Sequence, residues 1–169
     1  QLKKNILITG GCGNVGGSLA RRLVNDPENF VVIIDNLLTG STDKLPDSNF
    51  KNWRFIKCDC NNFQDLRLVM DETSFDYVFH YAAVVGVQRT LASPIMVLDD
   101  IKGIENILSL SNSTGVKRFF YSSSSEVYSS TTSLLKNRIP SDEKIEISIY
   151  DITNVRYSYA VSKIWAESY

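Results

Sequence analysis

The sequence predicts an α/β fold in which helices cover both faces of a parallel sheet. Two observations lead to this prediction. First, short continuous apolar runs, typical of strands buried on both faces, alternate along the 169 residues with segments whose apolar residues recur at helical spacing. Second, a glycine-rich turn joins the first apolar run to the first helical segment, which is the order of elements in doubly wound folds.

Each predicted strand is a short apolar run bounded by polar or turn-forming residues. In chain order the five runs are Lys3–Thr9, Phe30–Asp35, Trp53–Cys58, Phe75–His80 and Val116–Ser122. Because parallel strands end at one edge of a sheet, we expect the residues at their carboxyl ends to line one crevice. These residues are Gly10–Gly16, Asp35, Asp59, Ala82 and Ser122–Ser124.

Three helical segments are predicted between these strands, and a loop is predicted after them. The second and third helices cover Phe63–Met70 and Pro94–Ser113. The stretch Ser129–Asn154 is polar and has no strong periodicity, so a loop of unassigned conformation is expected there. The inner faces predicted for the first two helices are Val15, Leu19 and Leu23, and Phe63, Leu66, Val69 and Met70.

The glycine turn has the spacing of a phosphate cradle. Gly11, Gly13 and Gly16 satisfy G-x-G-x-x-G, and Gly10 extends the pattern to G-x-x-G-x-x-G. Residues without a Cβ atom permit a tight turn and a close approach of the backbone to a pyrophosphate. The following helix adds free N–H groups and a partial positive charge at its N-terminus. The alternative interpretation is a flexible surface loop.

An acidic residue ends the second predicted strand. Asp35 follows the glycines by about 20 residues, where a dinucleotide-binding fold has the carboxylate that binds the adenosine ribose. A carboxylate there repels a 2′-phosphate, and no arginine directly follows it, so the sequence favours NAD over NADP. The alternative role for Asp35 is an ordinary cap or turn residue.

A tyrosine and a lysine stand four residues apart near the end of the chain. Tyr159 and Lys163 would share one side of a helix. The lysine charge is expected to lower the phenol pKa from its usual value of about 10, which would make the tyrosine a proton acceptor. The alternative is a chance spacing on a helix surface.

Together these motifs resemble a known family. The chain is similar to the N-terminal part of an extended short-chain dehydrogenase/reductase of the NAD-dependent nucleotide-sugar epimerase/dehydratase group. The resemblance implies a Rossmann-type, doubly wound, three-layer α/β fold, with residues 1–169 as one NAD-binding domain that lacks the smaller C-terminal substrate lobe. The matching segments are Thr9–Gly16, Asp35–Leu37, Asp59, His80–Ala83, Tyr121–Tyr128 and Tyr159–Lys163.

The resemblance also implies a role for each matching residue. Ser124 would hydrogen-bond the reacting sugar hydroxyl, and Tyr159 would remove its proton while hydride passes from the attached carbon to NAD. Lys163 would bind the nicotinamide ribose. The implied cofactor-binding residues are Gly10, Gly13, Asn14, Val15, Gly16, Asp35, Asn36, Asp59, Cys60, Ala82, Ala83, Ser122, Tyr159 and Lys163.

The residues after Ser124 bear on which reaction follows. Glu126 is either a general base or a solvated acid near a helix start. Ser125 stands where the dehydratases of the family have aspartate, which counts against a 4,6-dehydratase. We therefore expect an epimerase like UDP-glucose 4-epimerase, acting through a 4-keto sugar, with a nucleotide-sugar decarboxylase or 4,6-dehydratase as alternatives.

Asp100 stands where relatives often have asparagine. A non-catalytic NAD-binding sensor or scaffold is the alternative from another class.

Composition limits the partners of the chain. The net charge of −1 gives no electrostatic case for nucleic acid or an acidic membrane, and no apolar run is long enough to span a bilayer. One histidine and three cysteines do not predict a metal site, so reduced thiols and a cytoplasmic location are expected. His80 is expected to be a packing or hydrogen-bonding residue rather than a catalyst. The resemblance implies a homodimeric full-length protein that binds a nucleotide sugar, with little turnover by residues 1–169 alone.

Overall fold

The structure is a computed structural model that describes residues 3–84, 86–134 and 140–169. The described residues form two compact units. The first unit comprises Gln1–Ala83 with Lys102–Ser122, and the second comprises Val84–Ile101 with Ser123–Tyr169.

The first unit contains a five-stranded parallel sheet. The spatial order is β3-β2-β1-β4-β5, so the chain first winds outward from β1 in one direction and then starts again on its other side. This is the doubly wound arrangement that the sequence predicts. The strands are β1 (Lys4–Thr9), β2 (Asn29–Asp35), β3 (Trp53–Lys57), β4 (Tyr77–His80) and β5 (Arg118–Tyr121).

Six α-helices and three short 3-10 turns complete the described chain. The 3-10 turns are Thr42–Lys44, Ser125–Tyr128 and Val155–Tyr157. The helices are α1 (Asn14–Leu23), α2 (Phe63–Glu72), α3 (Val87–Ala92), α4 (Ile95–Ser113), α5 (Ser129–Leu134) and α6 (Ser158–Glu167).

The core of the first unit lies on both faces of the sheet. Successive residues of a strand point to opposite faces, so Leu7 packs in one apolar cluster and Ile8 in the other. The first cluster includes Leu66 of α2 and Ile107 of α4, while the second includes Ala20 of α1. Helices therefore cover both faces, which confirms the predicted three-layer α/β arrangement.

The predicted inner face of α1 is partly wrong. Val15 is 63% exposed, and the buried residues of this helix are Gly16, Gly17 and Ala20. A Cβ atom on Gly16 would lie 2.5 Å from the Gly10 carbonyl oxygen, so only glycine fits where the helix meets the turn. The valine beside it consequently faces outward. In α2, Phe63 is also exposed, because it is the first residue of its helix.

The second unit consists of short helical segments joined by turns. The loop predicted over Ser129–Asn154 is helical at its start, since α5 covers Ser129–Leu134. Thr131 of this helix donates a hydrogen bond to the carbonyl of Glu146 (2.7 Å) and pairs with the Ser148 hydroxyl at 2.9 Å. Side-chain hydrogen bonds therefore give this polar stretch a conformation that periodicity does not reveal. Residues 135–139 of the predicted loop lie outside the described residues.

Candidate active site

The glycine turn of the first unit forms a cradle that a larger residue would fill. Gly10 has φ +65°, and a Cβ atom on it would lie 2.6 Å from the backbone nitrogen of Ala82. Gly13 donates a backbone hydrogen bond to the Gly10 carbonyl (3.0 Å) and then starts α1 without a side-chain cap. The first N–H groups of α1 therefore remain available to an anion, as a pyrophosphate site requires.

Asp35 ties the glycine turn to the end of β2. Its carboxylate accepts hydrogen bonds from the backbone N–H of Cys12 (2.9 Å) and of Leu37 (2.8 Å), one on each oxygen. A carboxylate has about four acceptor positions, so capacity for a ribose hydroxyl remains. The predicted ribose-binding carboxylate thus stands beside the predicted phosphate cradle, which fits a dinucleotide. That Asp35 binds the ribose stays a prediction.

The turn after β3 brings a second pair of predicted residues together. The Asn36 side-chain amide donates to one oxygen of Asp59 (3.1 Å), and the other oxygen accepts the backbone N–H of Asn61 (2.9 Å). The Cys60 side chain is buried, and its carbonyl accepts a hydrogen bond from the Asn106 side chain of α4 (2.9 Å). Asn106 supports this turn from far along the chain, and nothing local in the sequence indicates that.

A buried polar pair supports the end of β4. Thr9 and His80 are joined by a hydrogen bond between Oγ1 and Nδ1 at 2.8 Å, and the threonine oxygen also accepts the backbone N–H of Ala82 (3.1 Å). His80 is therefore a buried, hydrogen-bonded residue, in agreement with the packing or hydrogen-bonding role expected for it. The Ser122 hydroxyl, predicted to bind the cofactor, donates to the His80 carbonyl at 3.2 Å.

The first unit gathers its predicted cofactor residues at one edge of the sheet. Parallel register aligns Thr9 with Ile34 and His80, and His80 with Tyr121, so the strand ends lie side by side. The glycine turn, Asp35, Asp59, Ala82 and Ser122 all follow or close these ends, as predicted.

The second unit contains the predicted proton-transfer residues. The Lys163 Nζ lies 5.6 Å from the centre of the Tyr159 ring, and Ser124 is close enough to Tyr159 to act on the pKa of its phenol. Lys163 is 4% exposed. The sequence spacing therefore does place both side chains on one side of α6.

The expected effect of Lys163 on the Tyr159 phenol is not found. Burial raises the pKa of Tyr159 above its usual value, the Ser124 hydrogen bond opposes this rise, and the negative charges of Asp100 and Glu126 add to it. Burial also lowers the pKa of Lys163, against the charge of Asp100. Desolvation is therefore the largest influence on the pKa of Tyr159, while the Lys163 Nζ lies over the ring, 5.6 Å from its centre.

Asp100 is a charged neighbour of this pair. Its carboxylate accepts the backbone N–H of Val84 at 2.5 Å, within the second unit. Its negative charge raises the pKa values of both Tyr159 and Lys163. Because an asparagine would accept the same backbone hydrogen bond without charge, the aspartate changes the electrostatics of this site rather than its shape.

Glu126 is held by an arginine that the sequence does not single out. Arg156 Nη1 lies 2.9 Å from Oε2 of Glu126, and Nη2 lies 3.3 Å from Oε1. The two prongs engage both carboxylate oxygens, so this partly exposed acid has a charged partner. Arg156 comes three residues before Tyr159, and the only local signal for it is that proximity.

The described residues do not indicate a metal centre or a membrane helix. Across residues 3–84, 86–134 and 140–169, no group of three or more histidine, cysteine or acidic residues is placed to bind a metal ion. In the same ranges, every helix is too short or too polar to cross a bilayer. Cys12 and Cys58 are free and buried, and burial raises the pKa of each thiol to about 11.

The fold and the cradle define a dinucleotide-binding α/β protein. A family model described as the NAD dependent epimerase/dehydratase family matches residues 6–169. The chain therefore belongs to that family, and NAD is its cofactor. The glycine turn, the open N-terminus of α1 and Asp35 are the residues that would hold it.

Individual relatives agree with this assignment. A UDP-N-acetyl-alpha-D-glucosaminuronate decarboxylase from Bacillus cytotoxicus is 31% identical over 99% of this chain and 49% of its own length. A solved epimerase from Methanothermobacter thermautotrophicus is 34% identical, with a TM-score of 0.83 over 99% of this chain and 46% of its own. A UDP-N-acetylglucosamine 4-epimerase from Methanobrevibacter ruminantium, solved with UDP-N-acetylmuramic acid, is 29% identical, with a TM-score of 0.82 over 100% and 50%. The chain spans about half the length of these relatives.

Proposed function

We propose that the full-length protein is an NAD-dependent nucleotide-sugar epimerase, similar to UDP-glucose 4-epimerase, that acts through a transient 4-keto sugar. The observation that carries this proposal is the position of the Lys163 Nζ 5.6 Å from the centre of the Tyr159 ring, with Lys163 buried and with Ser124 close enough to oppose the rise in the Tyr159 pKa. A serine hydroxyl and a phenol that lie close together can bind one sugar hydroxyl and move its proton. The similarity to solved epimerases supports the same conclusion.

The chain supplies the proton half of the proposed reaction. NAD, when bound, supplies a hydride acceptor and a positive charge. Ser124 donates a hydrogen bond that stabilises the developing phenolate, and Tyr159 takes the proton from the sugar hydroxyl as the attached carbon loses hydride. Tyr159 returns the proton once the ketone has been turned over and reduced from its other face. No net oxidation occurs, because the hydride returns to the carbon it left.

The Glu126 ion pair supports epimerisation rather than dehydration. Elimination of water needs an acid and a base beyond the proton-transfer tyrosine. Glu126 already binds Arg156 through both oxygens, and Ser125 cannot serve as a carboxylic acid. Epimerisation needs neither of these groups.

A decarboxylase is the second candidate. The relative from Bacillus cytotoxicus, which matches nearly the whole chain, is a decarboxylase. Oxidation at C4 of a sugar acid would let its carboxylate leave as carbon dioxide, so the same proton-transfer residues would serve both reactions.

The test is to incubate the full-length protein with NAD and UDP-sugars and to identify the product by NMR. Inversion at C4 supports the proposal. Loss of carbon dioxide from a UDP-sugar acid assigns a decarboxylase, and a 4-keto-6-deoxy sugar assigns a dehydratase. NAD binding without any conversion assigns the sensor or scaffold.

Variants of two tyrosines assign the proton acceptor. Tyr159→Phe should lower kcat by about 10²- to 10⁴-fold, because the proton acceptor is lost. Tyr150→Phe is the matched control, since that tyrosine is 69% exposed, and it should retain full activity. The cytoplasmic location and the homodimer stay predictions, and sedimentation of the full-length protein tests the second.

A further inference from the structure

The ion pair between Arg156 and Glu126 has a fixed geometry. Two nitrogens meet two oxygens at 2.9 and 3.3 Å, and the side chains are 37% and 30% exposed. A two-pronged arginine–carboxylate pair fixes orientation as well as distance. An exposed single-contact pair would not do so.

Both partners are anchored close to the proposed proton-transfer residues. The Ser124 hydroxyl accepts the backbone N–H of Glu126 at 3.2 Å, which caps the 3-10 turn that follows it. The Asn154 side chain caps the 3-10 turn before α6 by accepting the backbone N–H of Arg156 at 3.0 Å. The pair therefore joins two capped turns, one starting beside Ser124 and the other ending at the start of the Tyr159 helix.

Further contacts join the same two segments. Ser123 donates a hydrogen bond to Glu167 near the end of α6, and Ser124 lies close to Tyr159 near its start. The Arg156–Glu126 pair is the one of these contacts made by two opposite charges. It is also the one with two parallel hydrogen bonds, so it restricts the angle between the segments most strongly.

We propose that the Arg156–Glu126 ion pair positions Ser124 against Tyr159, and that Glu126 is a positioning residue rather than a general base. The inference rests on the proposed function for the reaction that it supports. Glu126 acts through Ser124, two residues earlier in the chain, and Arg156 acts through Tyr159, three residues later. Neither side chain needs to touch the sugar for this role.

The kinetic test uses Glu126→Gln, Arg156→Gln and the double variant in the full-length protein. If the pair positions Ser124 and Tyr159, each single change lowers kcat by about tenfold, because misplacement of reacting groups is costly. The double variant should be no slower than either single variant, because both remove one interaction. A general base predicts a different result, with about 10²- to 10⁴-fold lost in Glu126→Gln and little lost in Arg156→Gln. That result overturns the proposal.

A charge exchange separates the two roles further. The variant Glu126→Arg with Arg156→Glu keeps an ion pair but moves the carboxylate to the other segment. Partial recovery of kcat relative to Arg156→Gln supports positioning. Activity no better than that of the single variants contradicts it. Arg54→Gln is the matched control, because Arg54 forms a surface pair with Glu72 at 3.1 Å in the other unit, and it should leave kcat unchanged.

A spectroscopic test does not depend on turnover. In NAD-free protein made with isotope-labelled tyrosine, the NMR signal of the Tyr159 ring carbon that bears the hydroxyl reports its hydrogen bond to Ser124. The signal is assigned with Tyr159→Phe. Arg156→Gln should move it toward its position in Ser124→Ala, and the charge exchange should return it toward wild type. A signal that moves in Ser124→Ala but not in Arg156→Gln refutes positioning, whereas the absence of sugar conversion refutes only the proposed function.

Discussion

The two units of this chain are stabilised in different ways. In the first unit, apolar clusters on both faces of a parallel sheet hold the glycine turn and Asp35 at the strand ends. In the second unit, side-chain hydrogen bonds and an ion pair join short helices, and the proposed proton-transfer residues lie among them. Polar contacts occur at both sites, but an apolar core on both faces of a sheet lies behind the cofactor residues, whereas an ion pair joins the segments that carry the residues of the chemistry.

Because of this difference, the two units should respond differently to amino-acid substitution. Apolar burial is non-directional and stabilises by about 25 cal/mol per Å², so its contribution depends mainly on the area buried. A hydrogen bond contributes only about 1 kcal/mol but depends on distance and angle. Substitutions in the first unit should therefore act mainly on stability, and polar substitutions in the second unit mainly on ionisation and rate.

The largest effect is expected in the core of the first unit. Leu66→Ala should lower the free energy of unfolding by about 2 to 5 kcal/mol, because Leu66 is fully buried and the change leaves a cavity. Leu68→Ala is the matched control on the same helix, since Leu68 is 66% exposed, and it should change stability by less than about 0.5 kcal/mol. Denaturant unfolding measures both, and equal losses would contradict the described burial.

A slightly smaller effect is expected at the glycine cradle. Gly10→Ala should lower the free energy of unfolding by about 2 to 4 kcal/mol and weaken NAD binding, because the new Cβ meets the Ala82 backbone and φ is positive. Gly115→Ala is the control: its φ is +76°, but the space beside it is open, so only about 1 kcal/mol should be lost. Calorimetry of unfolding and of NAD binding compares them. Equal losses in the free energy of unfolding for the two variants would contradict the close packing of Gly10 against the Ala82 backbone.

In the second unit a charge change should alter ionisation more than stability. Asp100→Asn should lower the pKa of Tyr159, because the carboxylate charge that raises it is removed. The phenolate would then form at lower pH, and the rise of kcat with pH would move in the acidic direction. Ultraviolet titration against Tyr159→Phe measures the first effect. Asp99→Asn, an exposed neighbour on α4, is the control. An unchanged Tyr159 titration in Asp100→Asn would contradict this electrostatic role.

The smallest effect is expected at a charged contact at the start of the sheet. Lys117 lies 2.7 Å from Asp76, and this contact and the Asn5 backbone N–H hold the pKa of Asp76 below its usual 3.8. A carboxylate with a lowered folded-state pKa stabilises the protein above its unfolded-state pKa and loses that contribution as pH falls through the folded value. Asp76→Asn should therefore lower the free energy of unfolding by about 1 kcal/mol at neutral pH and leave it unchanged at strongly acidic pH.

The control for this change is an exposed pair. Asp71→Asn breaks a contact with Arg67 four residues earlier on α2, where both side chains are more than half exposed. Asp71→Asn should lower the free energy of unfolding by about 0.3 kcal/mol. Denaturant unfolding as a function of pH measures both variants. A loss in Asp76→Asn that does not shrink at low pH would show that its charge is not the cause.

Most of the first unit could be predicted from the sequence. All five strands were expected within two residues of their bounds, because each is a local apolar run. The glycine turn and Asp35 were expected at neighbouring strand ends because parallel topology forces strand ends together. The inner face of α1 was predicted wrongly at Val15, since periodicity cannot show that glycines face the turn.

Less of the second unit could be predicted. The spacing of Tyr159 and Lys163 correctly placed them on one side of α6, but it gave the wrong direction for the pKa of Tyr159. Sequence spacing indicates which side chains lie near each other, whereas the pKa of a side chain also depends on how far burial removes it from solvent. The helix at Ser129–Leu134 was missed because its sequence has no apolar periodicity, and the hydrogen bonds of Thr131 to Glu146 and Ser148 join residues far apart in the chain.

The sequence by itself determined the order of elements, the dinucleotide cradle and the Tyr159–Lys163 spacing, because each depends on residues close together in the chain. Only the tertiary structure decided which distant groups meet. Thr9 supports His80 across 71 residues, and Arg156 binds Glu126 across 30. Such contacts depend on how the chain returns to itself, and no local pattern encodes that. The pKa of Tyr159 is likewise decided by the tertiary structure, because burial and charges distant in the chain determine it.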